Sequence, residues 1–219
     1  MMNYEHALEE YTRVRDVRID LNNKLVKQLS RKTLLKGGRA LGLLVDNVLC
    51  FETEDESCVL MDFCIHDCRD LGRNAIDRYL ARPRLDANER QLLEAMQRAW
   101  FSLFRVESTV PGVGVEATDM LRAGRVFIVD VNLSHCQPDG LMLATRVVPT
   151  HQWLMTTGAP LPVEPDDLAD ISGALATWRG INRLGQRDGL SRQEQAALAA
   201  TILRVCLSRG ASNRVRYAS

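Results

Sequence analysis

Apolar side chains stand at Tyr4, Leu8, Tyr11, Val14, Val17, Leu21, Leu25 and Leu29. Every interval is three or four residues, which keeps them on one face of a helix, and no Pro or Gly interrupts the run. The spacing predicts a long amphipathic helix over 4–29. Its second half and the residues after it are basic: Lys24, Lys27, Arg31, Lys32, Lys36 and Arg39, with no acid between them. Gly37-Gly38 then predicts a break or bend. A short apolar segment (40–45), a turn at Asp46-Asn47 and a short strand (48–51) follow. Thr53-Glu54-Asp55-Glu56 reads as a helix start: Thr53 can cap, Glu56 can reach back, and the acids meet the positive end of the dipole. That helix is expected to reach about Cys68. Gly72 separates it from a shorter one ending at Leu80, and Pro83 closes the stretch. Asp86 caps another helix, with Leu92, Leu93, Met96 and Trp100 on its buried side.

Beyond residue 100 the period changes. Residues 102–107, 113–117, 125–131, 141–148 and 152–156 are short runs rich in β-branched and aromatic residues, separated by turn signals such as Pro111-Gly112 and Ala123-Gly124. Five short strands about ten residues apart predict a small antiparallel barrel, SH3-like or OB-like. Pro160, Pro162 and Pro165 form a stiff connector. Asp166-Asp167 starts a helix with Leu168, Ile171, Leu175, Trp178 and Ile181 on one face, ended by Gly185. Ser191-Arg192-Gln193-Glu194 is a capping box for a last helix, which Gly210 ends. The final nine residues are polar and expected to fray. The fold class is therefore α+β: a helical region (1–99), a five-stranded barrel (100–158) and a helical C-terminal region (159–219), packed as one compact unit. The first helix has too long an apolar face to leave in water. Stripes such as Leu168-Ile171-Leu175-Trp178 could cover it, and a homo-oligomer through this helix is the alternative.

The 28 basic and 28 acidic residues cancel, which argues against a globally basic nucleic-acid binder and against an acidic disordered chain. No apolar run approaches the roughly 20 residues that span a bilayer. The N-terminus lacks the basic start and apolar stretch of a secretory signal. The expected setting is the cytoplasm, without membrane attachment. The six cysteines, in a chain of 219 residues with 46% apolar content, read as reduced thiols rather than a disulfide framework.

Several motifs fall into a familiar order: Leu60-Met61-Asp62-Phe63, Ile76-Asp77-Arg78-Tyr79-Leu80, Ser102-Leu103-Phe104-Arg105-Val106, Pro111-Gly112-Val113-Gly114-Val115, Asp130 ahead of Leu133-Ser134, and Ala144-Thr145-Arg146-Val147-Val148-Pro149. Over residues 30–158 this resembles the uncharacterised bacterial proteins that often carry a C-terminal SEC-C zinc motif. The resemblance brings no established activity. The zinc motif itself is absent, since only Cys206 and His151 of the metal-ligating Cys and His types lie beyond residue 150.

Cys64-Ile65-His66-Asp67-Cys68 holds zinc-ligand types. On a helix Cys64 and Cys68 share a face with Leu60, while His66 points roughly 200° away from Cys64. The expectation is a buried thiol face and no metal, with His135-Cys136 able to supply further ligands if it lies near. Asp130, Ser134 and His135 include the residue types of a hydrolase triad but lack the nucleophile elbow. Gly112-Val113-Gly114 reads as a turn, and Lys36-Gly37-Gly38 lacks phosphate-loop spacing. The acidic stretch of Glu52, Glu54, Asp55, Glu56, Asp62, Asp67 and Asp70 is expected to be mainly a solvated face. Asp62, flanked by Met61 and Phe63, needs a partner, for which Arg78 is a candidate.

The leading expectation is a non-enzymatic interaction module that binds a protein or nucleic acid through Lys27, Arg31, Lys32 and Lys36, with no cofactor. The competing one is a metal-dependent or carboxylate-based enzyme using residues 52–70. Convergence of Asp62, Asp67 and Cys68 with a histidine on a pocket favours the enzyme. A dry, buried cysteine face favours the module.

Overall fold

The computed structural model of the chain describes residues 4–135, 140–157, 160–178, 180–184 and 189–215. Helix α1 runs over Tyr4–Val26, three residues short of its expected end. Ser30 stops the run by capping a new helix, α2 (Arg31–Leu41), its hydroxyl accepting the Thr33 N–H. Gly37-Gly38 is therefore not a break but the middle of α2. A Cβ at Gly37 would sit 2.4 Å from the Cys64 sulfur, and one at Gly38 would sit 2.3 Å from Leu49. The pair lets neighbouring elements approach the helix closely. A two-stranded hairpin follows, β1 (Leu44–Val45) with β2 (Val48–Leu49). Its turn residues Asp46 and Asn47 both have positive φ, the conformation that a twisted two-residue hairpin turn demands. Helices α3 (Glu54–His66), α4 (Ala75–Leu80) and α5 (Ala87–Gln97) come next. Thr53, Asn74 and Asp86 cap their first turns.

The barrel strands are β3 (Trp100–Val110), β4 (Gly114–Asp119), β5 (Gly124–Val129), β6 (Met142–Pro149) and β7 (Leu154–Thr156). They close in the ring β3-β4-β5-β7-β6, completed by pairing of β3 with β6. Four of these pairings are antiparallel, and β5 with β7 is parallel, with Ile128 opposite Leu154. The expectation of an antiparallel barrel fails for a topological reason. A closed ring with an odd number of strands cannot alternate direction at every step, so one pairing must be parallel. A short helix, α6 (Val131–His135), leads out of β5. A further strand, β8 (Leu161–Val163), pairs with β6 outside the ring, within the stretch read as a proline connector. Proline is tolerated there because β8 is an edge strand.

Alternation along the strands sorts the core into three groups. Phe104, Val106, Val115, Ala117, Ile128, Leu143, Val147 and Leu154 form a cluster of their own, at the alternate positions that fill the barrel. Phe127, Val129, Val148 and Met155 face outward and pack with Tyr11, Leu21 and Leu25 of α1 and with α4 and α5. Phe101, Leu103 and Ala144 cover another outer face with α2, α3, α7 (Pro165–Ala176) and α8 (Arg192–Ser208). The face of α1 is thus covered by the barrel and by α4 and α5. The Ile171-Leu175 stripe of α7 does not cover it, but joins the other cluster. Gly185, the expected end of that helix, lies outside the described residues, and the helix itself stops at Ala176. The expected fraying does not hold for residues Ala211–Arg214, which form a 3₁₀ turn with Ala211 and Ser212 buried, and Arg214 pairs with Asp167; residues 216–219 lie outside the described residues. Among the described residues, no helix is long and apolar enough to cross a membrane.

Two outcomes check this packing. Ile128 lies inside the barrel and Phe127 under α1, where its ring stands 5.0 Å from that of Tyr4. Ile128→Ala should cost about 2–5 kcal/mol and Phe127→Ala about 3–5 kcal/mol in urea unfolding. Losses below about 1 kcal/mol from both would show that this strand is not in the core. Gly37→Ala should cost about 1–3 kcal/mol through overpacking, and adding Cys64→Ala should restore most of that loss.

Candidate functional site

Strand β6 alternates, so Ala144, Arg146 and Val148 share its outer face. Ala144 belongs to one outer apolar cluster and Val148 to the other, which leaves Arg146 at the seam between them. Helix α3 lies over this seam and brings Asp62 and His66; Asp67 is the residue that ends the helix. Arg146 is only 4% exposed. Its Nε donates to Asp62 Oδ2 at 2.9 Å and its Nη2 donates to Asp67 Oδ2. The Phe101 ring lies 5.8 Å from the guanidinium. His66 Nε2 stands 3.8 Å from Asp62 Oδ1, and the His66 carbonyl accepts from Asn74 Nδ2 at 2.7 Å.

One guanidinium thus serves two largely buried carboxylates, and their proton affinities separate. Burial pushes Asp67 up to about 6, against the pull of Arg146 and with help from the charge of Asp62. Burial opposes ionisation of Asp62 as well, but Arg146, His66 and a hydrogen bond with Thr157 hold it below the usual carboxylate range. Burial, aided by the positive charge of Arg146, drives His66 down to about 3, so its imidazole is neutral near pH 7. Nearby, Arg18 of α1 donates to the Thr156 carbonyl, and the Thr156 hydroxyl donates to Asp130 Oδ2 at 2.7 Å. The recess against His66, Asp67, Arg69 and Arg146 measures about 30 Å³, room for about one water. The geometry is that of a clamp fastening α3 to the barrel.

The partner of Asp62 is Arg146, not Arg78, whose guanidinium donates to the Arg73 carbonyl instead. Asp62, Asp67 and His66 do converge, but Cys68 does not join them. Cys64 and Cys68 are buried, hydrogen-bonded to each other and turned toward α2, with the Cys64 thiol 3.6 Å from the Thr33 carbonyl. The hydrogen bond between the two thiols and burial push the Cys64 thiol far up, while the same bond and Lys36 draw Cys68 down. Among the described residues, no three Cys, His, Asp or Glu side chains are placed to hold a metal ion. Cys136 lies outside the described residues. Asp130 and Ser134 are engaged in local capping: Asp130 Oδ1 accepts the Leu133 N–H, and the Ser134 hydroxyl donates to the Val131 carbonyl. Gly112, with φ of 75°, is a turn glycine.

The basic run is divided by the break at 27–30. Lys24 pairs with Glu89 at 2.6 Å, and Lys36 donates to the Arg69 carbonyl at 3.0 Å. Lys27 lies in the junction, and Arg31 and Lys32 open α2. All three are exposed, with no side-chain ion pair among the described residues. Arg146 was not singled out from the sequence as a site residue. Its signal is a lone cation inside the apolar run Leu143-Ala144-Thr145-Arg146-Val147-Val148, a position that requires buried carboxylates somewhere in the fold.

The two raised and lowered groups make opposite demands on pH. Asp67, raised from 3.8 to about 6 in the fold, contributes stability that is complete below pH 3.8 and lost as pH rises through 6. His66, lowered from 6.5 to about 3, contributes stability that is complete above pH 6.5 and lost as pH falls through 3. Each slope is about 1.4 kcal/mol per pH unit at most, and between pH 4 and 6 they oppose each other. Urea midpoints of the native chain should therefore be nearly flat from pH 6 to pH 4. In His66→Gln they should rise over that interval as the Asp67 slope is unmasked. A fall in the variant would refute the assignment. Arg146→Met, which strands both carboxylates, should cost about 3–5 kcal/mol at pH 7 and clearly less at pH 4.

Nothing among curated proteins and nothing among solved structures matches this chain. A family model does, over residues 5–173, and it takes in α1 to α6, the barrel and most of α7. By that match the chain belongs to the family described as "Family of unknown function (DUF7986)".

Proposed function

We propose that this chain is a non-enzymatic binding module that docks an acidic protein segment on the α1–α2 junction. The observation that carries the reading is the charge at the start of α2. Helices α3, α5, α7 and α8 each have acids in the first turn, whereas α2 has none and opens on Arg31 and Lys32. Cations at the positive end of a helix dipole each oppose it by about 0.3–1 kcal/mol, and Lys27 adds a third exposed charge. Folding gains nothing from this arrangement, but an anionic partner does. The commitment of Asp62 and Asp67 to Arg146, and the separation of Cys68 from them, favour a binding role over carboxylate catalysis. Few aromatic residues are available for base stacking, 5% of the chain, which favours protein over nucleic acid. The reading carries with it a cytoplasmic setting, and the bacterial one suggested by the resemblance of the Leu60–Phe63 and Ala144–Pro149 motifs.

The test is a triple reversal, Lys27→Glu, Arg31→Glu and Lys32→Glu, with Lys36 left in its bond to Arg69. The variant should be at least as stable as the native chain, because acids suit that helix end. Fluorescence anisotropy with a labelled oligoglutamate peptide should show native binding that weakens from 50 to 200 mM salt, and no binding by the variant. A parallel titration uses a labelled single-stranded oligonucleotide. Tighter charge-dependent binding there would transfer the site to nucleic acid. Unchanged binding by the variant, or no binding of either probe, would overturn the reading.

A further inference from the structure

Helices α1 and α5 do not meet along their whole length. Between them lies a cleft of about 250 Å³. Val148 and Met155 of the barrel, both buried, line it, together with Val14 and Val17 from α1 and Leu92 from α5. These are aliphatic surfaces, and the volume exceeds the roughly 150 Å³ that holds a benzene molecule in an engineered cavity. Two guanidiniums also line it: Arg13 from α1 and Arg98 from the C-terminal end of α5. Both are exposed, and neither has a carboxylate partner among the described residues. Among the described residues Glu10 is the only acid in the lining, and its carboxylate accepts the indole N–H of Trp153 at 3.1 Å. The cleft therefore joins an apolar body to a rim with unspent positive charge.

We infer that this cleft is a binding site for a small amphiphilic carboxylate, one aromatic ring or about eight carbons in length. The hydrocarbon lies against Val14, Val17, Leu92 and Met155, and the carboxylate takes the fork of donors that one or both guanidiniums present. Arg13 is about 20 Å along α1 from the basic junction, so this site and that one are independent. A methyl or ring that fills the cleft should exclude the ligand without touching its charge recognition. Ala95 lines the cleft and is half-buried, which makes it the place for that substitution.

The experiment is calorimetric titration of the full chain with octanoate and with benzoate, alongside octanol as the uncharged counterpart. Octanoate or benzoate should bind at one per chain, and octanol at least tenfold more weakly than octanoate. Arg13→Gln with Arg98→Gln should weaken the carboxylate at least tenfold while leaving the urea midpoint unchanged, as both side chains are exposed. Ala95→Phe should abolish binding of both carboxylates. If Ala95→Phe fails to fold, the arginine pair alone decides. Absence of binding by both carboxylates, equal binding of octanol, or indifference to the arginine substitutions would overturn the inference. Sedimentation showing a dimer that Ala95→Phe dissociates would also overturn it, by giving the cleft to a second copy of the chain.

Discussion

The rest of the architecture hangs on Arg146, a permanent charge buried on the outside of a barrel strand. A guanidinium taken out of water is tolerated only with good geometry and nearby anions. Both anions come from α3, 84 and 79 positions earlier in the chain. The ion cluster therefore fixes where α3 crosses the barrel. It also sets the phase of that helix. With Asp62 and His66 turned to β6, the opposite side carries Leu60 and Cys64 to α2, where Gly37 leaves room for them. An apolar seam of the same shape would allow α3 to slide; a two-pronged carboxylate grip on one guanidinium does not.

The second constraint is closure. Five strands in a ring need one parallel pairing, and a parallel neighbour cannot follow across a tight turn. The chain meets this by sending β5 out through α6 and returning with β6 before β7 is laid beside β5. Because β6 is then flanked by β3 and β7 and also carries β8, it is the most enclosed strand of the sheet. That enclosure is why the arginine on it is so thoroughly buried, and why both of its neighbours on that face, Ala144 and Val148, lie in apolar clusters.

Local signals were legible, and pairwise ones across the chain were not. The caps at Thr53, Asp86 and Ser191 could be read from three or four adjacent residues, and each one caps the helix expected of it. The five barrel strands were visible through period two and turn chemistry. Ser30 was a local signal too, but the unbroken apolar period around it masked the helix break. The parallel pairing, the position of Arg146 opposite Asp62 and Asp67, and the meaning of Gly37-Gly38 all depend on which elements meet. A glycine pair looks the same in a sequence whether it bends a helix or admits a neighbour. Asp62 could be recognised as needing a cation, but six elements lie between α3 and β6, and the nearer Arg78 was the wrong one.

What remains on the surface is informative because the interior accounts for so much of the charge. Lys24, Lys36, Arg69 and Arg204 are each tied to a specific acid or carbonyl, and Asp62, Asp67 and Asp167 are each tied to an arginine. Against that background, charges without a structural role stand out. Arg31 and Lys32 oppose the dipole of the helix they begin, and Arg13 and Arg98 flank an apolar cleft without an acid to answer them. Exposed cations without an ion pair among the described residues also stand elsewhere, Arg15, Arg84 and Arg125 among them, so it is the setting of these four, against a helix dipole or beside an apolar cleft, that carries the two proposals. The two places differ in shape, an open helix junction and a walled cleft, which is why the partners proposed for them differ in size, an extended acidic segment at the first and a small amphiphile at the second.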